Sequence, residues 1–161
     1  MTLENEACAP SPFTYILAPV DGSESSINAG RLAIRIAASH QIPITFLYVV
    51  DQGGAEEIAG ASARSVGAVC EQLEHKAHSY LDYLSRMASN RGLRAEKVIR
   101  RGVPYREIAD LAREERVDLI VIGRVGGRGT QQLARVGAVA QQVIEYAPCP
   151  VLTVRYRPLS R

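Results

Sequence analysis

The run Phe13-Thr-Tyr-Ile-Leu-Ala-Pro-Val20, closed by Asp21-Gly22-Ser23, decides the fold. A short continuous apolar stretch is what a parallel strand buried on both faces requires, because neither row of its side chains meets water. Asp-Gly-Ser ends it as a tight turn. Ser23 and Ser25 both suit a helix N-cap, where a side-chain oxygen accepts an otherwise orphaned N–H of the first turn. Ile27, Gly30, Ile34 and Ala37 then recur at helical spacing up to His40. The unit is strand, turn, helix.

Working outward, the same unit recurs. Ile44 to Val50 (ITFLYVV) is a second buried strand ending at Asp51, and the Gly/Ala/Ser-rich stretch Gln52 to Gly67 is expected as a mobile surface loop. A long helix is expected from Ala68 through Leu73, Ala77, Leu81, Leu84 and Ala88, stopped at Asn90-Arg-Gly92. Arg94 to Arg101, poorer in apolar residues, reads as a third strand at a sheet edge. Pro104 suits the first position of the helix carrying Ile108, Leu111 and Ala112. Val117 to Ile122 (VDLIVI) is the fourth strand, and Gly123 opens a glycine-rich loop reaching Thr130. A last helix with Leu133, Val136, Val139, Val143 and Ile144 is ended by Pro148-Cys-Pro150, before a fifth strand, Val151 to Val154.

Strands alternating with helices imply right-handed crossovers and an α/β fold: an open, doubly wound, five-stranded parallel sheet of order 3-2-1-4-5, helices on both faces. In such sheets ligands bind outside the carboxyl ends of the strands where the strand order reverses, here between the first and fourth. The loops after those two strands meet there. Glycines let backbone N–H groups approach an anion, and a helix N-terminus adds a partial positive charge. Neither a Walker loop nor a Gly-x-Gly-x-x-Gly after the first strand is present. On spacing alone the glycine-rich turn serves a structural or a functional purpose.

Composition bounds the function. At 161 residues, 47% hydrophobic and 22% charged, the chain makes one domain with a proper core, read as 13–156 between a flexible leader 1–12 and a tail 157–161. No apolar run reaches the roughly 18 residues of a spanning helix, and the N-terminus lacks the pattern of a signal peptide, so a cytoplasmic location without membrane contact is expected. The formal charge is +2 and the arginines do not cluster with aromatics, which argues against nucleic acid as a partner. Cys8, Cys70 and Cys149 stand too far apart for a zinc or redox motif. His75 and His78 share a helical face near Cys70 but no acid or second cysteine completes a metal site. Tyr80 and Tyr83 read as core or rim residues.

Two motifs in this order, Pro19-Val20-Asp21-Gly22-Ser23 and Ala147-Pro148-Cys149-Pro150-Val151, with the glycine loop between them, resemble the universal stress protein family over residues 13–155. The resemblance implies a regulatory stress-response protein that binds ATP, with or without Mg, and has no catalytic side chain. It makes Pro19, Val20, Asp21, Val49, Ile122, Gly123, Gly126, Gly127, Gly137, Ala138 and Val139 the nucleotide-binding residues, with Asp21 near ribose and phosphates, the backbone of Val49 against adenine, Gly123 and Gly126 as the first loop glycines and Gly137 as the last. Asp21 has a second reading as a cap of the first helix. The family's loop has nine residues before its last glycine and then Ser or Thr; here ten separate Gly126 from Gly137, and Ala138 follows. Arg124, Arg128 and Arg135 are phosphate partners or solvated surface arginines.

Two other functions stay open: a family member that has lost nucleotide binding and acts as a dimeric interaction protein, and a slow ATP hydrolase. The resemblance also implies a homodimer through the terminal strand, residues 151–156, with Val151 and Val154 on opposite faces and Val154→Pro as the substitution that disturbs the pairing.

Overall fold

A computed structural model describes residues 10–125 and 136–156. Its elements are β1 (Ile16–Pro19), α1 (Glu24–His40), β2 (Ile44–Asp51), α2 (Gln52–Ser62), α3 (Val66–Ser89), β3 (Ala95–Gly102), α4 (Pro104–Glu114), β4 (Leu119–Gly123), α5 (Ala138–Tyr146) and β5 (Val151–Val154). The five strands form one sheet, every pair parallel, in the expected order β3-β2-β1-β4-β5.

Alternation along each central strand splits the core in two, as burial on both faces demands. Ile16, Ala18, Ile44, Phe46, Leu119 and Val121 pack with Ala33, Ile34, Leu81 and Leu84 of α1 and α3. Leu17, Leu47, Ile120 and Ile122 pack with Ile108, Leu111, Ala140 and Val143 of α4 and α5. The crossover helices therefore change face between β3 and β4, which makes the C-terminal ends of β1 and β4 the switch point.

Sequence signals set most boundaries. Ser23 caps α1, accepting the Ser26 N–H at 3.2 Å, and Ser65 caps α3 in the same way on Ala68. Pro104 opens α4, where its missing N–H costs nothing. β3 is an edge strand: Lys97 pairs with Asp82 at 2.7 Å and Arg101 with Glu74 at 2.6 Å toward α3, while Arg100 meets Glu114 and Glu107 of α4. Exposed ion pairs stabilise little, but their charges keep another strand off this edge.

Three expectations are corrected. Gln52 to Gly67 is not a loop: α2 follows β2 directly, and α3 starts at Val66 rather than Ala68, so the described residues hold five helices and not four. Gly54, Ala55 and Ala59 are buried, so small side chains let α2 sit close to its neighbours, and that packing overrides the poor helix propensity of glycine. Val136 precedes α5 instead of belonging to it, and Leu133 lies outside the described residues. The third concerns the outer edge. Pro150 C=O accepts from Ile120 N–H at 3.0 Å and Val154 C=O from Arg124 N–H at 2.9 Å, so the backbone of Val154 faces β4 and that of Val151 and Thr153 faces outward. Val154→Pro would therefore break the sheet's own ladder, not an intersubunit one. Val151 and Val154 do lie on opposite faces, each against a different half of the core.

Candidate functional site

At the end of β1 the chain turns sharply because two side chains fold back on the backbone in three hydrogen bonds. Asp21 accepts the Ser23 N–H on Oδ1 at 2.9 Å, Ser26 Oγ accepts the Asp21 N–H at 3.2 Å, and Ser26 Oγ donates to Ser23 C=O at 2.9 Å. Ser23, not Asp21, is the helix cap, and the Asp21 carboxylate braces the turn from an exposed position. Gly22 has φ +84°, a left-handed conformation that glycine adopts without a Cβ penalty. Pro19 and Val20 are buried beneath the turn.

Val49 stands beside this turn. Val20 N–H donates to Leu47 C=O at 2.8 Å, so by two-residue alternation Val49 carries the next N–H and C=O directed to the β1 side, at the level where the chain leaves the sheet. Its side chain packs on the α4–α5 face. Tyr48, one residue earlier, is buried on the other face; burial first, then the charges of Asp21 and Tyr80, pushes its phenol above the ordinary tyrosine range.

Gly123 closes β4, and the absence of a side chain there is a packing requirement. A Cβ would lie 2.8 Å from Ser25 Oγ, 2.9 Å from Ser25 C and 2.9 Å from Ser26 N, so β4 touches the first turn of α1 backbone to backbone. Ser25 Oγ is buried in this contact and finds no hydrogen-bond partner among the described residues. Ile122 is buried just behind. Arg124 C=O accepts the Gly137 N–H at 2.7 Å, which draws the two ends of the glycine loop together. Gly126 and Gly127, with Arg128 and Arg135, lie outside the described residues.

Beyond the loop, Gly137 is the N-cap of α5 and supplies no side-chain cap, Ala138 is the first helical residue, and Ala138 and Val139 are exposed. The first helical hydrogen bond runs from Gln141 N–H to Gly137 C=O at 2.9 Å, so the preceding amides have no acceptor within the helix. The structure thus gathers Asp21, Val49, Gly123 and the start of α5 at the carboxyl end of the sheet. That end offers main-chain donors, one carboxylate and a partial positive charge.

A model of the universal stress protein family matches residues 12–155. The chain belongs to that family. A universal stress protein of Methanocaldococcus jannaschii is 34% identical over 144 residues, which cover 89% of this chain and 82% of that protein. Universal stress protein UspA from Lactobacillus plantarum superposes with a TM-score of 0.78 at 27% identity, over 90% of this chain and 99% of its own. A universal stress protein from Archaeoglobus fulgidus, solved in complex with dAMP, superposes at 0.63 and 24% identity, over 88% and 96%.

Elsewhere on this universal stress protein, Cys70 is buried while His75 and His78 are exposed, and no group of three or more metal-binding side chains forms among the described residues. No described helix is long and apolar enough to cross a membrane. Sequence reasoning missed Tyr48, Ser25 and Tyr80 at the site. Gly22 and Gly30 face Tyr80 and Leu84, which are one helical turn apart, two glycine notches for two large side chains that only the folded chain brings together.

Proposed function

We propose that this universal stress protein binds an adenine nucleotide, ATP foremost, in the crevice at the ends of β1 and β4, as a regulatory ligand and not as the substrate of a catalytic side chain. The observation that carries the reading is the convergence, at the carboxyl ends of the central strands, of Val49's backbone, the Asp21 turn and the N-terminus of α5. Val49 would read adenine by its main chain, Asp21 would meet ribose or a phosphate-bound Mg ion, and the α5 amides with Gly137 would face the phosphates. Solved members of the family carry dAMP, cAMP and AMP. We place the protein in the cytoplasm as a homodimer joined through residues 151–156.

Titration calorimetry tests this. ATP is expected to bind more tightly than GTP, because a main-chain contact at a strand end selects the purine edge. Ala138→Ser would supply the hydroxyl that α5 lacks, and one new hydrogen bond to a charged phosphate is worth about 1.5–3 kcal/mol, or roughly one to two decades of affinity. Absence of heat with millimolar ATP in both proteins would favour the second reading, an interaction protein without nucleotide, for which the missing hydroxyl at Gly137 and Ala138 speaks. Phosphate release from the bound nucleotide would instead identify a slow hydrolase.

A further inference from the structure

We propose that Tyr80 of α3 positions the nucleotide-binding turn: its ring closes over Gly22 and so fixes where Asp21 stands at the mouth of the crevice. The role given to Asp21 rests on the adenine-nucleotide reading above, whereas the packing is a property of the apoprotein.

A Cβ on Gly22 would lie 2.3 Å from Tyr80 Cε2, 2.5 Å from Cζ and 2.9 Å from Oη. Those distances leave no room for any side chain, so ring and backbone are in direct contact. One helical turn along α3, Leu84 fills the matching notch at Gly30, where a Cβ would lie 2.8 Å from its Cδ1. Arg31 adds an N–H···Oη bond of 2.7 Å to Tyr83. Three successive contacts thus dock the turn and α1 on one face of α3. The turn's own hydrogen bonds join Asp21 and Ser23 to the first turn of α1, and the Tyr80 ring joins them to α3.

The experiment compares Tyr80→Phe, Tyr80→Ala, Gly22→Ala and the Gly22→Ala/Tyr80→Ala double variant. It uses amide hydrogen exchange by NMR without nucleotide, and ATP affinity by calorimetry. Tyr80→Phe keeps the ring and is expected within about twofold of wild type in both readouts. Tyr80→Ala is expected to speed exchange at the Asp21 and Ser23 amides by about tenfold or more while Ile120 and Val121 of the sheet stay protected, and to weaken ATP by about tenfold. The Gly22→Ala penalty on the same two readouts is expected to shrink in the Tyr80→Ala background, since the clash is then gone. Should Tyr80→Ala fail to fold, Tyr80→Leu serves in its place: it fills much of the volume without the planar ring. Unchanged exchange at the turn, faster exchange of sheet and turn alike, or strictly additive effects of the two substitutions would overturn the proposal. If wild type binds no adenine nucleotide, the exchange readout still decides the role of Tyr80 and the nucleotide reading alone fails.

Discussion

Gly123 separates two roles that one glycine can play. As a loop glycine it would let backbone amides reach phosphate; as a packing glycine it lets β4 touch α1. The contacts at 2.9 Å are to the carbonyl carbon of Ser25 and the amide nitrogen of Ser26, backbone atoms that cannot swing aside. Gly123→Ala is therefore expected to destabilise the protein by about 1–3 kcal/mol in urea unfolding, with or without nucleotide present. Equal stability of the two proteins would return Gly123 to a purely ligand-binding role. At this scale the sequence was half legible. Asp21 and Ser23 announce a turn and a cap by residue type alone, and both are observed there. The contacts of Gly22 with Tyr80 and of Gly123 with Ser25 join residues distant in the chain, and local chemistry carries no mark of them.

Among elements, those with a strong period were readable and the one built from glycine and alanine was not. β1, β2, β4 and β5 are legible from their apolar runs and β3 from a poorer one that suits a sheet edge, whereas α2 has the composition of a loop and is held by Gly54, Ala55 and Ala59 against its neighbours. Gly60, in the same helix, has open space where a Cβ would stand. Gly60→Ala is thus expected to raise stability by about 0.5–1 kcal/mol and to slow exchange within α2. An unchanged or lower stability would mean that residues 52–62 do not hold a helix in solution. A second element-scale contact joins the residues that lead into β1 to the one that leads into β4. Burial opposes ionisation of Asp118, but the Thr14 hydroxyl at 2.7 Å and the Tyr15 and Thr14 amides at 3.0 and 2.8 Å outweigh it and hold the carboxyl below its usual range. A carboxylate depressed on folding contributes stability that is complete above its unfolded pKa, about 3.9, and is lost as pH falls through the lower folded value. Wild type is therefore expected to lose more stability than Asp118→Asn on going from about pH 5 to pH 3. Glu74, Asp82 and Glu114, held low by Arg101, Lys97 and Arg100, fade in both proteins and cancel in the difference. Parallel slopes in thermal unfolding would show that Asp118 carries no such linkage.

At the scale of the whole molecule the two sheet edges differ in how well charge guards them against another strand. β3 is guarded by Lys97, Arg100 and Arg101, each tied to a helix carboxylate. β5 is short and bears no charge from Val151 to Val154. Leu152 is 38% exposed on it, and Ile144 and Tyr146 of α5 are 49% and 53% exposed. An open edge presents a row of unpaired donors and acceptors, and a two-fold axis lets one edge serve both partners. The outward backbone groups belong to Val151 and Thr153, as the inward bonds at Pro150 and Val154 require. Thr153→Pro then removes an outward N–H while leaving the β4 ladder intact, and it is the substitution that separates assembly from folding. Wild type is expected to scatter light as a dimer at tens of micromolar and Thr153→Pro as a monomer with little change in melting temperature. A monomeric wild type, or a Thr153→Pro variant that remains fully dimeric, would move the interface away from β5.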